Sequence, residues 1–193
     1  DCLLSRGLGD VYKRQIQHDM LNADITQTTD SPSWGGLYLQ YFEKFDQVQQ
    51  QKGILSVTKK LFIEKIGSDG KQELLPLGKE KLKTGDKVIT RLTLSLKQDM
   101  DFLYLKDFRA ACFEPIGQLS GNQWKFGTVY YEESKDAVTN FFFNSLAKGT
   151  YVLEYPVWVN QAGTYQDGIA TFQSMYAPEY TAYSEAGKIT VTK

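Results

Sequence analysis

Residues 88–96 alternate without a break. Val88, Thr90, Leu92, Leu94 and Leu96 fall on one side of an extended chain, and Ile89, Arg91, Thr93 and Ser95 on the other. A helix would scatter the first set around its axis, so this stretch is a half-buried strand. The polar break at 97–101 leads into a second extended run, 102–108, and Pro115 stops any further ladder. That run leaves Asp107, Arg109 and Glu114 close together in sequence beside large apolar side chains. Opposite charges so placed make either a small buried salt-bridge knot or the start of an active site. With no His or second nucleophile nearby, the knot is the commoner outcome.

The same two-residue period recurs along the chain. Aromatics make up 13% of residues, with 12 Tyr and 11 Phe, a usage that suits strands. Residues 54–66 put Leu55, Val57, Leu61 and Ile63 on one face, and Ser68-Asp69-Gly70 then signals a hairpin returning through 72–76. The lysines at 79–87 are interspersed with acids and read as a solvated edge. Residues 124–131 read as one strand with Trp124, Phe126, Thr128 and Tyr130 on a shared face. The triplet Phe141-Phe142-Phe143 suits a strand covered on both sides. In 151–159, Tyr151, Leu153, Tyr155, Val157 and Val159 alternate with Glu154 and Trp158, and Pro156 implies an edge position or a bulge. Strands at 169–176 and 188–192 complete an antiparallel β-sandwich of about seven strands.

Other classes fit poorly. Net charge is −1 with a pI near 5.9, and the cations are dispersed among acids, so no field exists to hold a nucleic acid. No apolar run reaches membrane-spanning length. His18 is the one histidine and stands in a polar segment without companion donors, which argues against a metal site. No Ser-His-Asp order or Gly-rich phosphate loop is present, and the adjacent Glu132 and Glu133 point to opposite faces of a strand. The chain is expected to be neither an enzyme nor a cofactor carrier. Cys2 and Cys112 neither demand nor exclude a disulfide.

The chain divides into three regions. Residues 1–15 resemble in-frame translated adapter sequence from metagenomic assemblies and read as a non-native leader, which would make Cys2 non-biological. A lipid-modified Cys2 is the alternative, but no lipobox precedes it. Residues 16–50 read as the tail of a preceding module, with an aromatic strand at 34–42 and a glutamine-rich linker. Residues 51–193 form the main domain.

Five local sequences stand in one order: LKTGDKVITRLTL at 82–94, DMDFLYLKDFRAACFEP at 99–115, KGTYVLEY at 148–155, QAGTY at 161–165 and ATFQSMYAPEYTAYSE at 170–185. Together they resemble the C-terminal macroglobulin-like domain of bacterial alpha-2-macroglobulin family proteins, particularly the large Bacteroidetes forms. The likeness covers roughly 34–193. It implies a fibronectin III-like sandwich at the end of a long periplasmic or cell-envelope protein that traps proteases, with lipid anchoring compatible. In that family a bait region is cleaved, a thioester in a helical domain becomes reactive, and the protease is captured. The implied partners of this domain are the thioester domain, which it shields, and the preceding module of the same chain. Proteases are met through the whole protein. The family thioester is built from C-x-E-Q, whereas Cys112-Phe113-Glu114-Pro115 ends in proline, which has no side-chain acyl group. No thioester forms there, and Cys112 reads as a small core residue.

The segment Met175, Tyr176, Pro178, Glu179 and Tyr180 is the candidate interdomain contact, an aromatic loop beside a proline. The plainer reading has Tyr176 and Tyr180 packing across the end of the sandwich. A lone carbohydrate-binding or adhesion sandwich, with Trp124, Trp158 and Tyr165 as a stacking platform, is the alternative function.

Overall fold

The computed structural model describes residues 47–193 apart from 68–69, 79–80, 118 and 126, together with 26–28, 30–32 and 44. The expectations for residues 1–15, His18 and the strand at 34–42 lie outside the described residues. The chain divides into two compact units, Asp1–Tyr41 and Phe42–Lys193, and the second contains every strand among the described residues.

Every named element is a strand, and there are fourteen among the described residues rather than about seven. Several are two to three residues long, too short for alternation to announce them. In order they are β1 (Leu55–Ile66), β2 (Gln72–Pro76), β3 (Leu82–Lys83), β4 (Lys87–Leu96), β5 (Met100–Phe108), β6 (Phe113–Pro115) and β7 (Gly121–Lys125). Then come β8 (Thr128–Ser134), β9 (Val138–Leu146), β10 (Gly149–Val159), β11 (Gly163–Gln166), β12 (Ala170–Ser174), β13 (Thr181–Tyr183) and β14 (Lys188–Thr192).

Strand β4 is the centre of a five-stranded sheet, β2-β1-β4-β10-β6. Its inward set Val88, Thr90, Leu92, Leu94 and Leu96 is buried, as the alternation requires. The facing sheet has six strands, β13-β12-β5-β9-β8-β7, and is antiparallel throughout. The two sheets share one apolar core, in which the Phe141 and Tyr155 rings meet across the gap with centroids 6.1 Å apart. A small third sheet, β11-β14-β3, buries Leu82, Ile189 and Val191 against this core, and its β14–β3 pairing is parallel.

Three sequence expectations change in detail. Residues 124–131 are not one strand but the hairpin β7–β8, turned at Gly127 with a φ of 75° that glycine adopts without a Cβ penalty. Trp124 is therefore exposed while Tyr130 is buried. Pro156 sits inside the sheet, paired with Ile89 of β4. Its carbonyl faces the other side and accepts the Ile116 N–H just beyond the end of β6, so its missing N–H interrupts no ladder. Finally, the outer face of Phe142 is covered by neighbouring rings rather than by another layer: it stacks on Tyr104 at 4.9 Å and lies beside Tyr131 at 6.3 Å.

Candidate functional site

Strands β5 and β12 run antiparallel from the pair Leu103–Ser174 to the pair Asp107–Ala170. Their two ends carry the two unusual features of the domain.

One end is an exposed apolar tip. Phe102 has a φ of 52°, the one positive value at a non-glycine among the described residues. A bulky side chain in this region is strained, at a cost on the order of 1 kcal/mol. The surroundings hold it there: its carbonyl accepts the Met175 N–H at 2.9 Å, and its ring meets Tyr176 edge-on with centroids 5.3 Å apart. Phe102, Met175 and Tyr176 are nevertheless 48%, 50% and 78% exposed. The loop behind them is tied by local hydrogen bonds. Ser174 N–H donates to the Tyr180 carbonyl, Tyr180 N–H to the Ala177 carbonyl, Ala177 N–H to Ser174 Oγ, and Thr181 Oγ1 to the Pro178 carbonyl. Of the five residues singled out in this loop, Tyr180 packs on the core, whereas Met175, Tyr176, Pro178 and Glu179 face outward. Sequence reasoning missed Phe102, because nothing in a strand pattern announces a left-handed residue.

The other end is a buried charge knot. Lys59 occupies an inward position of β1 between Val57 and Leu61, and its side chain is 2% exposed. Its ammonium lies 3.0 Å from Asp107 Oδ1 and 2.9 Å from Asp167 Oδ1. It also donates to the carbonyls of Phe108 and Gly168 at 2.7 and 3.0 Å. The remaining Asp107 oxygen accepts from the Tyr155 hydroxyl. Gly168 is required here, since a Cβ on it would stand 2.1 Å from the Phe108 carbonyl oxygen. Only glycine lets both carbonyls converge on one ammonium.

Burial works to lower the Lys59 pKa, but the charges of Asp107 and Asp167 outweigh it and hold the value above its ordinary level. Burial, with the Asp107 charge adding to it, raises Asp167 despite the lysine. Tyr155 is pushed well up by burial and by Asp107.

The expected cluster of Asp107, Arg109 and Glu114 is thus not one site. Asp107 and Arg109 are both buried, yet the ion-pair partner of Asp107 is Lys59. Arg109 instead fastens the β8–β9 turn, donating to Thr139 Oγ1 and to the carbonyls of Lys135 and Asp136. Glu114 is exposed and accepts from Asn160. Lys59 was legible in the inward parity of β1, where a lysine stands in line with Leu55, Val57, Leu61 and Ile63. Asp167 enters from a loop and carried no such signal.

Cys112 is fully buried, and burial pushes its thiol up to about 11, away from reactivity. Among the described residues no group of three or more His, Cys, Asp or Glu is arranged to hold a metal, and no helix is long and apolar enough to cross a membrane. The rings of the sugar-platform alternative do not share a face. Trp124 belongs to the six-stranded sheet, Trp158 to the five-stranded sheet, and Tyr165 to the third, where it packs on the core.

Two large sheets closing on one apolar core, with a small third sheet beside them, define an all-β sandwich of macroglobulin-like type. Residues 55–179 match the profile of the bacterial alpha-2-macroglobulin MG10 domain, and the chain belongs to that family. Solved structures agree in fold. The chain superposes on Salmonella alpha-2-macroglobulin reacted with methylamine at a TM-score of 0.58 and 20% identity, covering 76% of this chain and 10% of that one. Trypsin-activated alpha-2-macroglobulin from Escherichia coli gives 0.57 and 17%, covering 76% and 11%. The native E. coli fragment from domain MG7 to the C-terminus gives 0.56 and 17%, covering 75% and 24%. The chain therefore spans about a tenth of the length of the larger relatives. No curated protein matches it.

Proposed function

We propose that this chain is the C-terminal, non-catalytic macroglobulin-like domain of a bacterial protease-trapping protein, and that its tip packs on a thioester domain of the same parent chain and shields it. The parent would be an exported periplasmic or cell-envelope protein. The observation that carries the reading is the Phe102–Met175–Tyr176 tip. Three large apolar side chains are held in solvent by a strained backbone and a hydrogen-bonded loop, an arrangement that contributes little to the fold and suits a partner surface. Rigid presentation also lowers the entropy lost on docking. A helical partner with an apolar groove would be covered at its reactive centre, keeping water and amines out until the trap is sprung.

The test uses the full-length parent. Changing Met175 and Tyr176 to Ala is expected to speed thiol release by methylamine several-fold, because an open tip lets the amine reach the thioester. An unchanged rate, in a parent whose thioester is intact, would refute shielding by this loop.

A further inference from the structure

The charge knot is unbalanced: one buried ammonium faces two carboxylates, Asp107 and Asp167, each within 3.0 Å. Leaving a net charge in an apolar core is costly, so the surroundings favour an extra proton on the cluster over two bare carboxylates. Of the two carboxyls, Asp167 is the one that stands at the surface of the cluster, with its side chain 12% exposed against 0% for Asp107. The lysine nitrogen and two carboxyl groups are therefore held in contact, two of the three almost fully shielded from water.

The geometry points to a covalent modification site: Lys59 Nζ and the Asp167 carboxyl condense into an intramolecular isopeptide bond, with Asp107 handling the proton. The ammonium first passes one proton to Asp107, which leaves a neutral amine. The nitrogen lone pair then attacks Asp167 Cγ in its acid form, and an N–C bond forms as the C=O π electrons move onto oxygen. Collapse of this tetrahedral centre breaks one C–OH bond. Asp107 donates its proton to the departing hydroxyl and takes the second proton from nitrogen, so one water leaves and an amide with a single N–H remains. The proton first taken from the ammonium leaves within that water, and the second stays on Asp107, which ends as the neutral acid. No oxidant or cofactor is consumed.

Three features of the site serve this step. The carbonyls of Phe108 and Gly168 clamp Nζ from the backbone, so the approach to Asp167 is fixed before reaction, which replaces a bimolecular encounter with a held one. The Tyr155 hydroxyl pins the far oxygen of Asp107 and leaves Oδ1 toward the nitrogen. Beside Lys59 and Asp167 lies an open cleft of about 450 Å³, lined also by Leu61, Gly187 and Ile189, through which the released water escapes. Once formed, the bond removes two buried charges and joins β1 to the connection before β12. It would act like a disulfide built without sulfur.

The inference is independent of the shielding role, and its test is separate. The intact mass of the purified, denatured chain is expected to fall below the sequence mass by one water. A proteolytic map is expected to join the peptide holding Lys59 to the peptide holding Asp167. Lys59→Arg and Asp107→Ala are each expected to restore the full mass. A wild-type chain at full sequence mass overturns the proposal. So does a water loss that persists in Lys59→Arg, since it would mark ring closure of Asp167 on the Gly168 amide instead. The wild-type mass and map decide by themselves, so a variant that fails to fold does not leave the question open.

Discussion

The two ends of the β5–β12 pair solve opposite problems. At the Asp107 end, charges are drawn inward and every strong donor of Lys59 meets an oxygen. At the Phe102 end, apolar rings are pushed outward and the backbone bears strain to keep them there. A chain selected only for stability would do neither, because burying lysine beside two aspartates and exposing Phe, Met and Tyr both run against the hydrophobic gradient. The difference separates an end built to hold the domain together from an end whose exposed side chains the proposed docking would cover. Substitutions at the knot should act on folding, and substitutions at the tip should leave folding alone.

Changing Lys59 to Met breaks this contrast most severely. It leaves Asp107 and Asp167 buried without their cation, and the expected loss is about 3–5 kcal/mol, read as a lowered midpoint in urea denaturation. Gly168→Ala comes next. Its new methyl would collide with the Phe108 carbonyl, and a loss of roughly 2–3 kcal/mol is expected in the same assay. A midpoint equal to wild type for either change would mean the knot is not a staple.

Alkaline pH probes the interior without mutation. Burial raises Cys112 from 9.0 to about 11 and Tyr130 from 10.0 to about 12, and pushes Tyr155 up as well. Each group keeps its proton longer in the folded chain than in the unfolded one. Their stabilising contribution is complete below the unfolded values and is lost as pH rises through the folded ones. Unfolding free energy should thus decline between pH about 9 and about 12, and a flat profile there would show these groups to be solvated.

The smallest effect belongs to the tip. Tyr176→Ala should shift stability by less than about 0.5 kcal/mol, since the ring is 78% exposed. A loss above about 2 kcal/mol would move Tyr176 from a binding role to a packing one.

Much of this was written in the sequence, and the parts that were not have physical causes. The alternation of β4, β10 and β1 is read directly because each strand buries one face, and five ordered motifs carried the family. The hairpin at Gly127 was merged into one strand because Trp124 and Tyr130 have the same parity across a turn that parity cannot see. The charge cluster near β5 was half legible: Asp107 and Arg109 are buried, but their partners come from β1, the 167–168 loop and the β8–β9 turn, all distant in sequence. The tip loop was visible as an aromatic segment beside Pro178. Its second ring, Phe102, was hidden, since a left-handed φ is imposed by the tertiary setting and has no sequence mark at a phenylalanine.

Amide hydrogen exchange compared between this chain alone and the same residues inside the full-length parent tests the account most directly. The amides of 107–109 and 168–170 should be protected equally in both, because the knot is internal to the domain. The amides of 102–103 and 175–177 should gain protection only in the parent, where a neighbouring domain covers them. Equal exchange at 175–177 in the two settings would contradict the claim that the tip is a docking surface.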